Sequence, residues 1–175
     1  NIPPYLSRAS SNVYINKIRS DSNGTLWFGT AIGDVFQLNP DNYQVKRIPF
    51  NDRGEYVHEF YEESGGKMWI GTENGLYSYQ NGTIVEEKEI NNQLEDKMIY
   101  GIRRDKEGKL WIGTFGKGIF IFDNNNRLIA NLVKDNGFIS NAINHLYMDM
   151  QGSIWAATRG GLVYFENTAE ITHHE

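Results

Sequence analysis

Apolar and polar positions along this chain fall into short runs that recur with a fixed period. The runs "TLWFGT" at 25–30, "KMWIGT" at 67–72, "KLWIGT" at 109–114 and "SIWAAT" at 153–158 are near-copies of one another. Each holds one of the four tryptophans, Trp27, Trp69, Trp111 and Trp155, at spacings of 42, 42 and 44 residues. Leu26, Met68, Leu110 and Ile154 stand one residue before the tryptophan, and Thr30, Thr72, Thr114 and Thr158 three after it. Ile15, Val57, Ile99 and Ile143 stand twelve before it, and Ile18, Phe60, Ile102 and Leu146 nine before it. Gly24, Gly66, Gly108 and Gly152 come three before it. A period of about 40–45 residues points to a propeller or solenoid array ahead of any other fold.

Each repeat reads as short strands. Strand A is "VYINKIR", "YVHEFYE", "MIYGIRR" and "AINHLYM"; strand B is the tryptophan run; strand C is "VFQLN", "LYSYQ", "IFIFD" and "LVYFE". Strand D is "YQVKRIPF", "TIVEEKEI" and "RLIANLV", and the fourth repeat has no clear counterpart in "NTAEITHHE". The glycine ending each A-to-B turn supplies positive φ without steric cost and lets the hairpin close. No segment sustains a 3.6-residue period, so no substantial helix is predicted. Strand B is apolar or small at consecutive positions, as in a sheet buried on both faces between neighbours. The tryptophans then fill the gaps between adjacent sheets, and Gly29, Gly71 and Gly113 make room for a neighbour's ring; Ala157 replaces them in the last repeat. The expected fold is all-β: a β-propeller fragment of four four-stranded antiparallel blades, the last incomplete, with repeats at about 13–50, 55–90, 97–133 and 141–166 in a single domain.

Composition adds limits. The 175 residues are 39% hydrophobic and 13% aromatic, so large rings build the core from few positions. The 18 glycines against 4 prolines suit tight turns rather than disorder. A net charge of −5, spread along the chain, is not the footprint of a nucleic-acid binder. The absence of cysteine excludes disulfides and thiolate metal sites. No apolar run approaches the roughly 20 residues that span a bilayer, so no direct membrane insertion is expected. No signal peptide is evident, and a chain opening "NIPPYL" without an initiator methionine reads as a part of something longer.

The run "D-x-x-G-x-[LIM]-W-[IF]-G-T-x-x-G-[LIV]-[YF]" and the "GFISNAI" approach to the last strand A resemble the regulatory propeller repeats of two-component sensors. Those repeats stand in the extracytoplasmic half of bacterial hybrid histidine kinases, especially of gut Bacteroidetes. Asp105–Phe122 matches best, then Glu63–Tyr79 with Glu63 in place of aspartate; Asp21–Leu38 carries one extra loop residue and "WAAT" departs most. The resemblance covers nearly all of residues 13–166. WD-type repeats differ, since they place aspartate after the tryptophan, where Phe28, Ile70, Ile112 and Ala156 stand here. Quinoprotein propellers also repeat a tryptophan near a glycine, but no cofactor-ligand set is evident, and no cofactor is expected. The resemblance implies a periplasmic piece of a larger propeller, followed in the parent receptor by a sandwich domain, a membrane span and kinase modules. It also implies recognition of an oligosaccharide and control of polysaccharide-use genes.

In a propeller the D-to-A and B-to-C loops share a face. That face here carries Arg53, Tyr56, Glu73, Asn74, Phe115, Lys117, Asn136, Phe138 and Arg159, a mix of planar donors, acceptors and aromatic rings of the kind a sugar needs. The plainer reading of the same residues is solvated turn chemistry. Other chemistry finds less support. His58 and His145 lie on strand A, one repeat position apart, where a lone histidine is usually packed or exposed. His173, His174 and Glu175 read as a tail. Asp21, Glu63, Asp105 and Asp149 precede the turn glycines; a Ca²⁺ loop would need a ligand series that is missing, whereas an aspartate there caps its own turn. "GKG" at 116–118 is too short for a phosphate loop. No nucleophile–base set has a supporting context.

Three function classes follow: a non-enzymatic sensor module, which leads; a propeller lyase of the streptogramin-lyase type, which would call for a metal with converging His and Glu; and an interaction scaffold. Open blade edges invite pairing with further blades of the parent or with a second copy.

Overall fold

The computed structural model describes residues 14–50 and 55–166. It is all-β, built of small antiparallel sheets that are propeller blades. Blade 1 is β1 (Ile15–Ser20), β2 (Leu26–Thr30), β3 (Val35–Leu38) and β4 (Val45–Ile48). Blade 2 is β5 (Val57–Glu62), β6 (Met68–Thr72), β7 (Leu76–Gln80) and β8 (Thr83–Glu86). Blade 3 is β9 (Ile99–Arg104), β10 (Leu110–Thr114), β11 (Ile119–Phe122) and β12 (Leu128–Leu132). Blade 4 is β13 (Ile143–Met148), β14 (Ile154–Thr158) and β15 (Gly161–Phe165). Any fourth strand of that blade falls in residues 167–175, outside the described residues. One helical turn, α1 (Lys88–Asn91), and one 3-10 turn (Lys134–Asn136) sit in D-to-A connections. Among the described residues no helix is long and apolar enough to cross a membrane.

The chain divides into two compact units, Asn1–Glu86 and Glu87–Glu175, each with two blades. In the first, β1 and β2 pack on β5, and one core joins Trp27, Val35 and Ile48 of blade 1 to Val57, Phe60, Met68, Ile70 and Tyr77 of blade 2. In the second, β9 and β10 pack on β13, and the core joins Trp111, Ile119 and Ile121 to Ile143, Leu146, Ile154 and Ala156. The two cores use the same repeat positions. Within each unit, therefore, the first blade presents its tryptophan side to the second, and the second its strand A aliphatic side to the first.

The glycine after the tryptophan closes this packing, with a different partner from the ring expected. A Cβ on Gly29 would run into the side chain of Val57, with the Phe60 ring next at 3.2 Å. A Cβ on Gly113 would lie 2.6 Å from Ile143 Cγ2. The cavity in front of each glycine thus receives first the branched aliphatic residue that begins the next strand A, because that residue points straight at the gap. The turn glycines behave as anticipated: Gly24, Gly66, Gly108 and Gly152 all have φ between +82 and +93°.

The recurring carboxylate does more than cap its turn. Asp105 Oδ1 accepts backbone N–H bonds from Glu107 and Lys109, both at 2.9 Å, while Oδ2 accepts the Trp111 indole N–H at 2.8 Å. Asp21 and Asp149 hold Trp27 and Trp155 in the same way, both at 2.9 Å, and Glu63 reaches Trp69 at 2.9 Å. The recurring threonine clips the B-to-C loop. Thr114 Oγ1 donates to the Gly118 carbonyl at 3.1 Å and accepts from Lys117 N at 3.1 Å; Thr72 and Thr158 repeat the arrangement.

Candidate ligand-binding surface

The B-to-C loops that carry Glu73, Asn74, Phe115, Lys117 and Arg159 are held from below by these threonines. A second device acts on strand A. Its pairing with strand B slips by one residue near its start in every blade, at Asn16, His58, Tyr100 and Asn144. A bulge of this kind turns a side chain out of the ladder and toward the rim.

In the second unit the bulge residue Tyr100 lies 5.5 Å from the ring of Phe115, which begins the B-to-C loop of blade 3. The Arg159 guanidinium, from the equivalent loop of blade 4, sits 4.4 Å over the other partner in this group, the Phe115 ring. Such a cation–π contact contributes about 0.5–1 kcal/mol at an exposed site. Phe115 is half-buried and Arg159 exposed. Beside them Lys117 Nζ pairs with Glu95 Oε2 at 2.9 Å, and that hydrogen bond is the main reason the Lys117 pKa is raised. Asp96 accepts from Gly116 N at 2.6 Å and from Met98 N at 3.0 Å, tying the D-to-A loop to the B-to-C loop. The result is an aromatic pair topped by a cation and flanked by two carboxylates.

Phe115, Lys117 and Arg159 therefore stand in one neighbourhood. Asn136 is the last residue of the 3-10 turn, and its side-chain amide donates to the Asn131 carbonyl at 3.1 Å. Phe138 packs inward: its ring stacks on Phe165 at 6.1 Å and 20°, against the core that holds Trp111. In the first unit Glu73 Oε1 accepts from Tyr56 N at 3.4 Å, and Asn74 N donates to Thr72 Oγ1 at 3.1 Å. Tyr56 is exposed and stacks with the bulge residue His58 at 6.1 Å and 16°. Arg53 lies outside the described residues.

Sequence reasoning passed over Tyr100, Glu95 and Asp96. The last two belong to the "NNQLEDK" loop, where an aspartate able to accept from the N–H two residues on is a turn-capping signal. Tyr100 carried no such mark, since its orientation depends on the bulge. The strand A charges also find partners: Lys17 Nζ meets Glu59 Oε2 at 2.8 Å in the first unit, and Arg103 Nη2 lies 3.4 Å from His145 Nε2 in the second. Among the described residues no cluster of three or more His, Cys, Asp or Glu could hold a metal ion.

Residues 9–31, 93–116 and 137–160 match the family model described as two component regulator propeller. The extracellular domain of a protein described as a hybrid two component system, from B. thetaiotaomicron, is similar at 32% identity and a TM-score of 0.82, covering 94% of this chain and 23% of that one. A second B. thetaiotaomicron extracellular domain, described as that of a one component system, has 22% identity and a TM-score of 0.72 over 87% of this chain and 21% of its own; that likeness is of fold. Virginiamycin B lyase from Staphylococcus aureus shares the fold at 14% identity and a TM-score of 0.69, over 93% of this chain and 58% of its own. No curated protein matches the sequence. The chain spans 23% and 21% of the two B. thetaiotaomicron domains, less than a quarter of each.

Proposed function

We propose that this chain, built of two-component regulator propeller repeats, is part of the extracytoplasmic sensor region of a signalling receptor, and that it has no catalytic activity of its own. One observation carries the reading: 32% identity across 94% of the chain to the extracellular domain of a hybrid two component system. Within that role the ligand is a glycan fragment, met in the periplasm, and the receptor controls polysaccharide-use genes. The second unit's surface supports such a ligand. Phe115 and Tyr100 offer ring faces, while Arg159, Lys117, Glu95 and Asp96 offer planar or charged hydrogen-bonding groups around them. A sugar would displace Arg159 from the Phe115 ring and take up the guanidinium as a donor. Ligand binding would signal only through different affinity for two arrangements of this region and its neighbours. The lyase alternative rests on likeness of fold alone.

The experiment is calorimetric titration of the longer extracellular region with a panel of plant and host oligosaccharides. One of them should bind, and Phe115→Ala or Arg159→Ala should weaken it about tenfold, roughly 1.4 kcal/mol. A ligand bound with unchanged affinity by both variants would remove this surface; no bound oligosaccharide at all would remove the glycan.

A further inference from the structure

Blade 1 departs from its sister blades on the face that carries Trp27. That residue pairs across the sheet with Gln37 of β3, and Gln37 with Lys46 of β4. In blade 2 the same register runs Trp69, Ser78, Val85, and in blade 3 Trp111, Ile121, Ala130. Ser78 and Ile121 are buried, whereas Gln37 is half-buried and Lys46 exposed. Two long polar side chains thus stand where blades 2 and 3 place small or apolar ones. A cleft of about 350 Å³ opens here, lined by Thr25, Gln37, Asn39, Gln44, Val45 and Lys46. Ligand sites span about 300–1,000 Å³, so this volume suits a terminal sugar unit rather than a long chain.

The lining holds amides, a hydroxyl and a single ammonium group, and no carboxylate. Among the described residues, the side-chain amides of Gln37 and Gln44 and the Lys46 ammonium take part in no hydrogen bond or ion pair. Asn39 Oδ1 accepts from Asp41 N at 2.8 Å, and its NH₂ group remains to donate.

The turn that bounds the cleft is distinctive as well. Asn39 N donates to the Gln44 carbonyl to close it, as Asp123 N does to Arg127 in blade 3. The residue before the closing position has left-handed backbone in both turns, with φ of 56° at Tyr43 and 58° at Asn126. Asparagine tolerates that region, but a bulky aromatic residue enters it only under strain. Tyr43 is 66% exposed, so packing in the core does not hold it there. Strain with no packing to offset it points to a contact outside the fold.

The geometry points to a second saccharide site, formed by none of the residues around Phe115, that takes a sugar bearing one carboxylate. Lys46 Nζ meets the carboxylate. The amides of Gln37, Asn39 and Gln44 and the Thr25 hydroxyl meet ring hydroxyls, and Tyr43 offers an aromatic face at the rim. The site rests on the chemistry of its own lining and not on the reading of the Phe115 surface.

The test is NMR titration of the chain with methyl glucuronoside, with methyl glucoside and acetate as controls. The glucuronoside should shift the amide resonances of Gln37, Asn39, Gln44 and Lys46 with a millimolar dissociation constant, and the glucoside should bind at least tenfold more weakly. Lys46→Gln should abolish that preference and leave the glucoside unaffected. Tyr43→Asn, the residue of the equivalent turn in blade 3, should weaken both sugars while raising the melting temperature. Phe115→Ala should change neither titration. Absence of these shifts, equal binding of the two sugars, or the same shifts with acetate alone would overturn the proposal. So would wild-type affinity in both Lys46→Gln and Tyr43→Asn, or a response lost in Phe115→Ala. The Phe115 surface is judged separately, by its own variants in the oligosaccharide titration.

Discussion

Trp111 and Asp105 form one unit across a hairpin: the fully buried indole donates at 2.8 Å to a carboxylate that also ties down the turn linking strands A and B. The bond satisfies the only polar atom of the largest core ring, and the same carboxylate aligns the backbone that delivers the ring. Removing the acceptor leaves a buried donor unpaired, which costs about 1–3 kcal/mol. Asp105→Ala should therefore destabilise the chain by about that amount in urea unfolding. Asp105→Asn should fall in the same range if its amide NH₂ is turned to the indole, where donor meets donor. Trp111→Ala should cost more, about 3–5 kcal/mol, because the whole ring leaves a cavity. A loss under about 0.5 kcal/mol for Asp105→Ala would show that the carboxylate is incidental to the packing.

The same clamp in blade 4 makes the fold sensitive to acid. The Asp149 pKa is lowered, first by the Trp155 indole hydrogen bond and then by backbone bonds from the turn. Its ionised form is thus favoured in the folded chain relative to the unfolded one. The associated stability is complete above the unfolded carboxylate pKa, about 3.9, and disappears as pH falls through the lower folded value. Asp149→Asn should reduce the melting temperature at pH 7 while flattening its fall between pH 5 and 3. Parallel melting curves for variant and wild type across that window would contradict the assignment.

Glycine in the tryptophan strand is a packing requirement. Its backbone is extended, so the cost of a side chain there is steric. Gly113→Ala should destabilise by about 1–3 kcal/mol, the range for overpacked cores, and a second change, Ile143→Ala, should recover part of the loss by vacating the contested space. The pair is a double-mutant cycle: additivity would mean that the two positions do not touch.

The blades were legible in the sequence because their packing repeats. The tryptophans, the strand A aliphatic pairs and the turn glycines answer to one geometry used again and again, so their spacing alone announces it. The carboxylate at Asp105 was readable as a turn cap, but its bond to Trp111 was not, since a separation of six positions says nothing about how near a hairpin brings them. The candidate surface was legible only as loops. That Phe115 lies under Arg159 depends on two loops 44 residues apart, and that Tyr100 joins them depends on a bulge that apolar patterning does not reveal. Phe138 shows the converse: it read as a ligand platform by its loop position, and Phe165 draws it into the core.

His58 gives the first unit a second pH dependence, near neutrality. Its ring sits at the strand A bulge, half-buried beside Tyr56, on the strand whose Glu59 pairs with Lys17. Burial lowers its pKa, and the Lys17 charge lowers it further. Both effects disfavour the imidazolium in the folded chain and are absent when the chain unfolds. As pH falls through about 6.5 the unfolded chain takes up a proton that the folded chain refuses. Stability is therefore complete above that value and declines below it, until the folded histidine titrates as well. The decline should appear as a falling melting temperature between pH 7.5 and 5.5. His58→Gln, which keeps a polar planar side chain without a titrating group, should make that segment of the curve flatter than in wild type. Lys17→Met should lessen the slope rather than abolish it, because burial is the larger cause. If His58→Gln leaves the slope unchanged, the folded and unfolded histidines bind protons alike, and the bulge holds the ring more openly than its packing against Tyr56 implies.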